Sequence, residues 1–199
     1  MNPVIAYLKS RGGYGSMRDM KAASIQTREI ARLLHDGTIE KIKPGLCRLA
    51  TRPKGGPFRD TLIDVCEAMP RGVICLLSAL DHHDLTTFNP SEVYVAIPHA
   101  DKPPKITYPP LKTFFFRDRF YAPGIVHVRT PNGTVRVYSM EKTICDMFRY
   151  RHKLGENLAV EGLRTYLGRK EANFSALRRF AEICQVKTTL MPYVKAIVT

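Results

Sequence analysis

Between Ser24 and Leu49 the chain reads Ser-Ile-Gln-Thr-Arg-Glu-Ile-Ala-Arg-Leu-Leu-His-Asp-Gly and then Thr-Ile-Glu-Lys-Ile-Lys-Pro-Gly-Leu-Cys-Arg-Leu. Few folds accommodate that order. Ile30, Leu33 and Leu34 fall at i, i+3 and i+4 and form an inward stripe, which turns Thr27, Arg28, Ala31, Arg32 and His35 outward. Gly37 ends the helix. The segments 39–43 and 46–49 flank Pro44-Gly45, and Pro followed by Gly at the two central positions is what a type II turn requires. A basic helix therefore runs straight into a basic hairpin.

Upstream, Asn2 before Pro3 is a suitable N-cap and first helical residue, and Val4, Ile5 and Leu8 supply one apolar face up to Gly12-Gly13. Ser16, with Asp19 three residues on, opens a second helix whose inner stripe is Met17, Met20 and Ala23. Gly12 to Ser16 reads as the linker between these helices, and Ser24 to Gln26 as the turn before the third. Three short helices and a hairpin predict a winged helix-turn-helix over residues 1–52. Thr51 to Pro57, with two prolines and two glycines, breaks both periodicities and marks a boundary.

Residues 57–199 have a mixed pattern. A helix is expected from Phe58 to Met69, a short buried strand or helix lead at Val73 to Leu77, and a helical turn or two from Ser78 to His83. Glu92 to Pro98 reads as a half-buried strand. Prolines 98, 103, 104, 109 and 110 favour an extended connection after it. Strands are expected at Leu111 to Arg117, Gly124 to Arg129 and Thr134 to Tyr138, with a hairpin signal at Pro131-Asn132-Gly133. From Ser139 the period turns helical, through Ser139–Arg151, Leu158–Leu167, Phe174–Cys184 and Thr188–Val198, the last containing Pro192. The expected class is α+β, with a small, mainly antiparallel sheet and several helices in the second domain.

Charge narrows the partners. The net charge of +13 is unevenly spread. Residues 1–52 carry ten basic and four acidic side chains, residues 53–110 five and seven, and residues 111–199 sixteen and seven. Such a balance favours a polyanionic partner. Five cysteines at scattered, apolar positions suit reduced thiols of a cytoplasmic protein, and no segment approaches the roughly 18 apolar residues that a membrane span needs.

The outward face of the third helix fits double-stranded DNA. Arginine can meet guanine O6 and N7 with two hydrogen bonds and Gln26 can do so for adenine, so Gln26, Thr27, Arg28 and Arg32 are expected at base edges. Lys41, Lys43 and Arg48 on the wing are expected at phosphates. No cofactor or metal site is expected. Gly12-Gly13-Tyr14-Gly15-Ser16 lacks the Gly-Lys-Ser/Thr of a phosphate loop. Asp81-His82-His83-Asp84 spreads about 100° per residue on a helix and cannot converge on one ion. Asp64, Glu67, Asp81 and Asp84 do not make the carboxylate cluster of a nuclease or nucleotidyltransferase, the enzymatic alternative. Phe114-Phe115-Phe116-Arg117, followed by Arg119-Phe120-Tyr121, reads as a buried strand with one exposed edge; stacking of single-stranded bases, as in an RNA-binding module, is the alternative. Ser139 is an N-cap candidate, with Lys142 and Asp146 four apart on one helix face. That motif either stabilises a helix or forms an interaction surface.

The Ile25–Leu49 block resembles the AbiEi family when read with three later segments: Leu76-Leu77-Ser78-Ala79-Leu80-Asp81-His82-His83-Asp84-Leu85, Val93-Tyr94-Val95-Ala96-Ile97-Pro98, and Val135-Arg136-Val137-Tyr138-Ser139-Met140-Glu141-Lys142-Thr143-Ile144-Cys145-Asp146-Met147-Phe148-Arg149-Tyr150-Arg151. These are antitoxins and transcriptional regulators of type IV, abortive-infection toxin-antitoxin systems in phage defence. Cys47 and Asp84 depart from the family pattern, standing where an aromatic residue and a glycine are usual. The resemblance implies an N-terminal domain that represses its own operon at inverted repeats, as a monomer or weak dimer cooperating on DNA. It also implies a C-terminal domain that counteracts a nucleotidyltransferase-like toxin without a stable complex.

Overall fold

A computed structural model describes residues 2–50, 58–103, 105–106, 108–130 and 133–198. The expected boundary at 51–57 and the Pro131-Asn132 half of the hairpin signal lie outside them. The fold is α+β and divides into two compact units. The first comprises residues 1–70, 102–110 and 129–135, and the second residues 71–101, 111–128 and 136–199.

In the first unit, α1 (Pro3–Ser10) starts where Asn2 Oδ1 accepts hydrogen bonds from the amides of Val4 and Ile5. β1 (Tyr14–Ser16) follows, where a linker was expected from sequence. Ser16 then caps α2 (Met17–Ala22) by accepting from the Asp19 amide at 3.0 Å. Ser24 turns the chain at φ +61, and α3 (Thr27–His35) begins at once. β2 (Ile39–Lys43) and β3 (Leu46–Leu49) form the hairpin, with Gly45 at φ +83 as the type II turn demands. Val4, Leu8, Met20, Ile25, Ile30, Leu33, Ile39, Cys47 and Leu49 make the core. Gly15 permits β1 to lie against α1, since a Cβ there would stand 2.6 Å from Leu8 Cδ2.

The sheet order is β1-β3-β2, antiparallel throughout, so β3 is the central strand and all four of its residues are buried. α4 (Phe58–Ala68) also belongs to this unit, and from it Asp64 reaches Tyr14 and Arg48.

In the second unit α7 (Met140–Arg149) is buried from Lys142 to Phe148. α5 (Leu76–His82), α9 (Glu156–Leu167) and α10 (Phe174–Ile183) pack on it. α8 (Arg151–Leu154) and α11 (Lys187–Val198) complete the helical layer, and Pro192 lies inside the latter. The five-stranded sheet has the order β6-β5-β4-β8-β7: Leu111–Phe116, Val93–Pro98, Val73–Ile74, Gly133–Tyr138 and Ile125–Thr130. The short α6 (Asp118–Tyr121) follows β6.

Two expectations are corrected here. The sheet is mixed, because β5 pairs parallel with β6 and β4 pairs parallel with β8. The long connection from His99 to Pro110 returns the chain to the same end before β6, which a hairpin could not do. β5 is also buried along its whole length instead of on alternate residues, since it is an inner strand with both faces covered. Asp84, at φ +53, occupies a left-handed position after α5, the conformation for which glycine is the usual residue. Among the described residues no helix is long and apolar enough to cross a membrane.

Candidate nucleic-acid interface

The first unit exposes the outer side of α3 as its sequence requires. Ile30 and Leu33 are buried, whereas Gln26, Thr27, Arg28, Ala31, Arg32 and His35 are exposed. Gln26 stands at the N-cap position without a side-chain capping bond, so its amide is not spent on the helix end. Glu29, the acid in the first turn, is half-buried and accepts a hydrogen bond from Asn2 Nδ2 at 2.7 Å. That contact ties α3 to the start of α1 and engages the carboxylate next to Arg28 in sequence. Asp36 closes the helix. Hydrogen bonds from Thr38 hold its carboxylate below the usual range, with smaller contributions from the charges of Arg32 and His35.

On the hairpin the three expected phosphate contacts separate. Lys41 is exposed. Lys43 is half-buried and its Nζ donates to the Ala68 carbonyl at 2.6 Å, capping the C-terminal end of α4. Arg48 is buried, and its assignment to a phosphate is corrected. Its cross-strand neighbours are Tyr14 on β1 and Glu40 on β2, so the three side chains stand in a row on one face of the sheet. Arg48 donates to Glu40 Oε2 from Nη2 at 2.9 Å and from Nε at 3.2 Å, and its Nη1 donates to Asp64. Tyr14 donates to the other Asp64 oxygen at 2.7 Å. Burial works against the Arg48 charge, but the Glu40 hydrogen bonds and the Asp64 charge outweigh it and hold the group above its ordinary value. Three of the five guanidinium N–H groups are engaged by these two carboxylates, and burial keeps the group away from a DNA backbone.

Further cations of this unit carry no motif in the sequence. Arg18 and Lys21 on α2 are exposed beside the buried Met20. The inward Met17/Met20 stripe already implied their orientation, because residues off an apolar stripe face solvent.

In the second unit Ser139 caps α7, accepting from the Lys142 amide at 3.4 Å. Lys142, Thr143 and Asp146 are fully buried, so this motif supports a helix and is not an exposed surface. The Lys142 ammonium bonds Asp146 and lies 4.3 Å from the Tyr138 ring centre. Burial pushes the Asp146 carboxyl up while Lys142 pulls it back. His83 Nε2 lies 2.7 Å from the Tyr138 carbonyl, and His82 stacks edge-on to it. Among the described residues no three His, Cys, Asp or Glu side chains are grouped to hold a metal ion. All five cysteines are buried thiols. No protein-family model matches this chain, and no curated protein matches it either.

Proposed function

We propose that the first unit is a winged helix-turn-helix that binds duplex DNA sequence-specifically. The observation that carries this reading is the order α1-β1-α2-α3-β2-β3 with the sheet β1-β3-β2 beside a helix whose outer face bears Gln26, Arg28 and Arg32. Arg28 and Arg32 are one turn apart on α3. Their separation of about 6 Å along the axis is close to two base-pair steps, so both can reach base edges when α3 lies in the major groove. Arg18, Lys21 and Lys41 are then the exposed cations for flanking phosphates.

The wider reading is a non-enzymatic transcriptional repressor of its own operon, acting in the cytoplasm and doubling as a type IV antitoxin of the AbiEi kind. It rests on the resemblance of the segments quoted above. Residues 57–199 would carry the antitoxin activity against a nucleotidyltransferase-like toxin.

Fluorescence anisotropy on the DNA upstream of the coding region, with a scrambled duplex as control, tests the binding. Arg28→Ala and Arg32→Ala are each expected to cost about 1–3 kcal/mol on the cognate site and much less on the control. With the three phosphates met by Arg18, Lys21 and Lys41 neutralised, the log–log salt slope should be about −3 for each bound copy. Equal affinity for both duplexes would refute sequence-specific reading. The antitoxin role is tested separately: a Gln26, Arg28, Arg32 triple alanine variant, altered only at exposed positions, should lose repression yet still restore growth to cells expressing the toxin. A folded variant that fails to rescue would overturn the division of labour.

A further inference from the structure

The second unit contains a cleft of about 310 Å³, lined by His99, Phe115, Arg117, Arg119, Arg149 and Gln185, with Phe120 among them. Four separate chain segments meet there. His99 directly follows β5 and Arg117 directly follows β6, so the cleft lies at the carboxyl ends of a parallel strand pair, where open sheets with parallel strands commonly form crevices for ligands. Arg149 is the last residue of α7, and Gln185 comes just after α10.

The lining is cationic and no carboxylate takes part in it. Among the described residues neither Arg117, Arg119 nor Arg149 forms an ion pair. The Arg149 guanidinium lies 3.6 Å from the centre of the Phe120 ring and 5.5 Å from that of Tyr150, and its Nη1 is buried without a hydrogen-bond partner. The acid nearest in sequence, Asp146, is bonded to Lys142 instead. A buried donor left unpaired in an aromatic wall is costly to the fold alone, and an oxyanion would satisfy it. Alternation along β6 buries Phe114 and Phe116 and leaves Phe115 47 % exposed, on the same side of the strand as Arg117. Gln185 holds φ +60, a left-handed position after a helix where glycine is the usual residue, and it brings an amide side chain to the cleft.

We propose that this cleft binds a 5′-phosphorylated nucleotide, either free or as the end of a strand. The phosphate would sit on Arg117, Arg119 and Arg149, whose planar forks match its oxygens, and the base would stack on Phe115. The volume lies at the lower end of the range for small-molecule sites, which suits one nucleotide. This site is independent of the α3 face and of the reading built on it.

Calorimetric titration of the full chain with AMP, adenosine and inorganic phosphate tests the proposal. Anisotropy with a labelled hexadeoxynucleotide, 5′-phosphorylated or 5′-hydroxyl, distinguishes the two sources. AMP is expected to bind at least about tenfold more tightly than adenosine or phosphate, the factor that one charge-assisted hydrogen bond supplies. Arg117→Gln with Arg119→Gln, both exposed, should remove about that factor without moving the melting temperature. Phe115→Ala should weaken AMP and leave phosphate unchanged, and Arg28→Ala with Arg32→Ala should alter neither. A hexamer that binds more tightly with its 5′-phosphate than with a 5′-hydroxyl, and more tightly than AMP, assigns the site to strand ends; tighter binding of AMP assigns it to free nucleotides. Absence of AMP binding, AMP binding indifferent to the Arg117/Arg119 pair, or phosphate binding as tight as AMP would overturn the proposal.

Discussion

Replacing Arg48 by methionine separates a structural arginine from a DNA contact more sharply than any other single change in the first unit. Arg48 has 10 % of its side chain exposed and Asp64 3 %, whereas Glu40 keeps 22 %. Methionine preserves much of the aliphatic stem, so lost packing contributes little and the charge is what disappears. Glu40 can recover hydration, and its share is that of a partly exposed pair, about 0–1 kcal/mol. Asp64 cannot. It would be left buried with the Tyr14 hydroxyl and no cation, and breaking a buried pair in this way costs about 3–5 kcal/mol. For a chain of this length each kcal/mol moves the melting temperature by about 2–4 °C, so the expected fall is about 6–20 °C. Thermal melts followed by circular dichroism measure it. Adding Asp64→Asn removes the stranded charge while keeping an acceptor for Tyr14, and should recover most of the loss. A variant that melts like the wild type, but binds DNA more weakly with a salt slope reduced by about one, would refute the reasoning and return Arg48 to the phosphates.

The buried pair of α7 follows the same logic: Lys142→Met or Asp146→Asn alone should cost about 3–5 kcal/mol, and the double variant less than either, as read by denaturant melts. Additive losses would show that the pair is not coupled. His83 makes stability fall on acidification. Burial lowers its folded value below 6.5, so the unfolded chain binds the extra proton first; the contribution is full above the unfolded value and is lost as pH falls from about 6.5 towards the folded value. His83→Gln keeps a donor for the Tyr138 carbonyl and should flatten the melting temperature between pH 7.5 and 5.5; an unchanged slope would assign the acid sensitivity elsewhere. At Gly124, whose φ is +84 and where a Cβ would stand 2.9 Å from Lys142 Cβ, alanine should destabilise by at least about 1–3 kcal/mol. A melt unchanged by that substitution would show that the loop can move away from α7.

Local chemistry made much of this protein legible from its residues. Asn2, Ser16 and Ser139 cap α1, α2 and α7 because a short polar side chain satisfies amides two or three residues away, a relation written wholly in adjacent sequence. The inward Ile30 and Leu33, and the left-handed Gly45 behind Pro44, follow from helical periodicity and turn geometry in the same way. What the tertiary structure alone decided depends on partners far along the chain. Tyr14 to Ser16 carries no strand signal of its own, yet its pairing with β3 turns a two-stranded hairpin into a sheet with a central strand. Arg48 therefore passes from an exposed wing into a buried row with Tyr14, Glu40 and Asp64. Parallel pairing of β5 with β6 was equally hidden, because alternation reports which face is buried and not which direction the neighbouring strand runs. The cleft gathers His99, Phe115, Arg117, Arg149 and Gln185 across more than eighty residues of sequence, and no spacing rule connects positions whose proximity exists only after the chain has closed around α7.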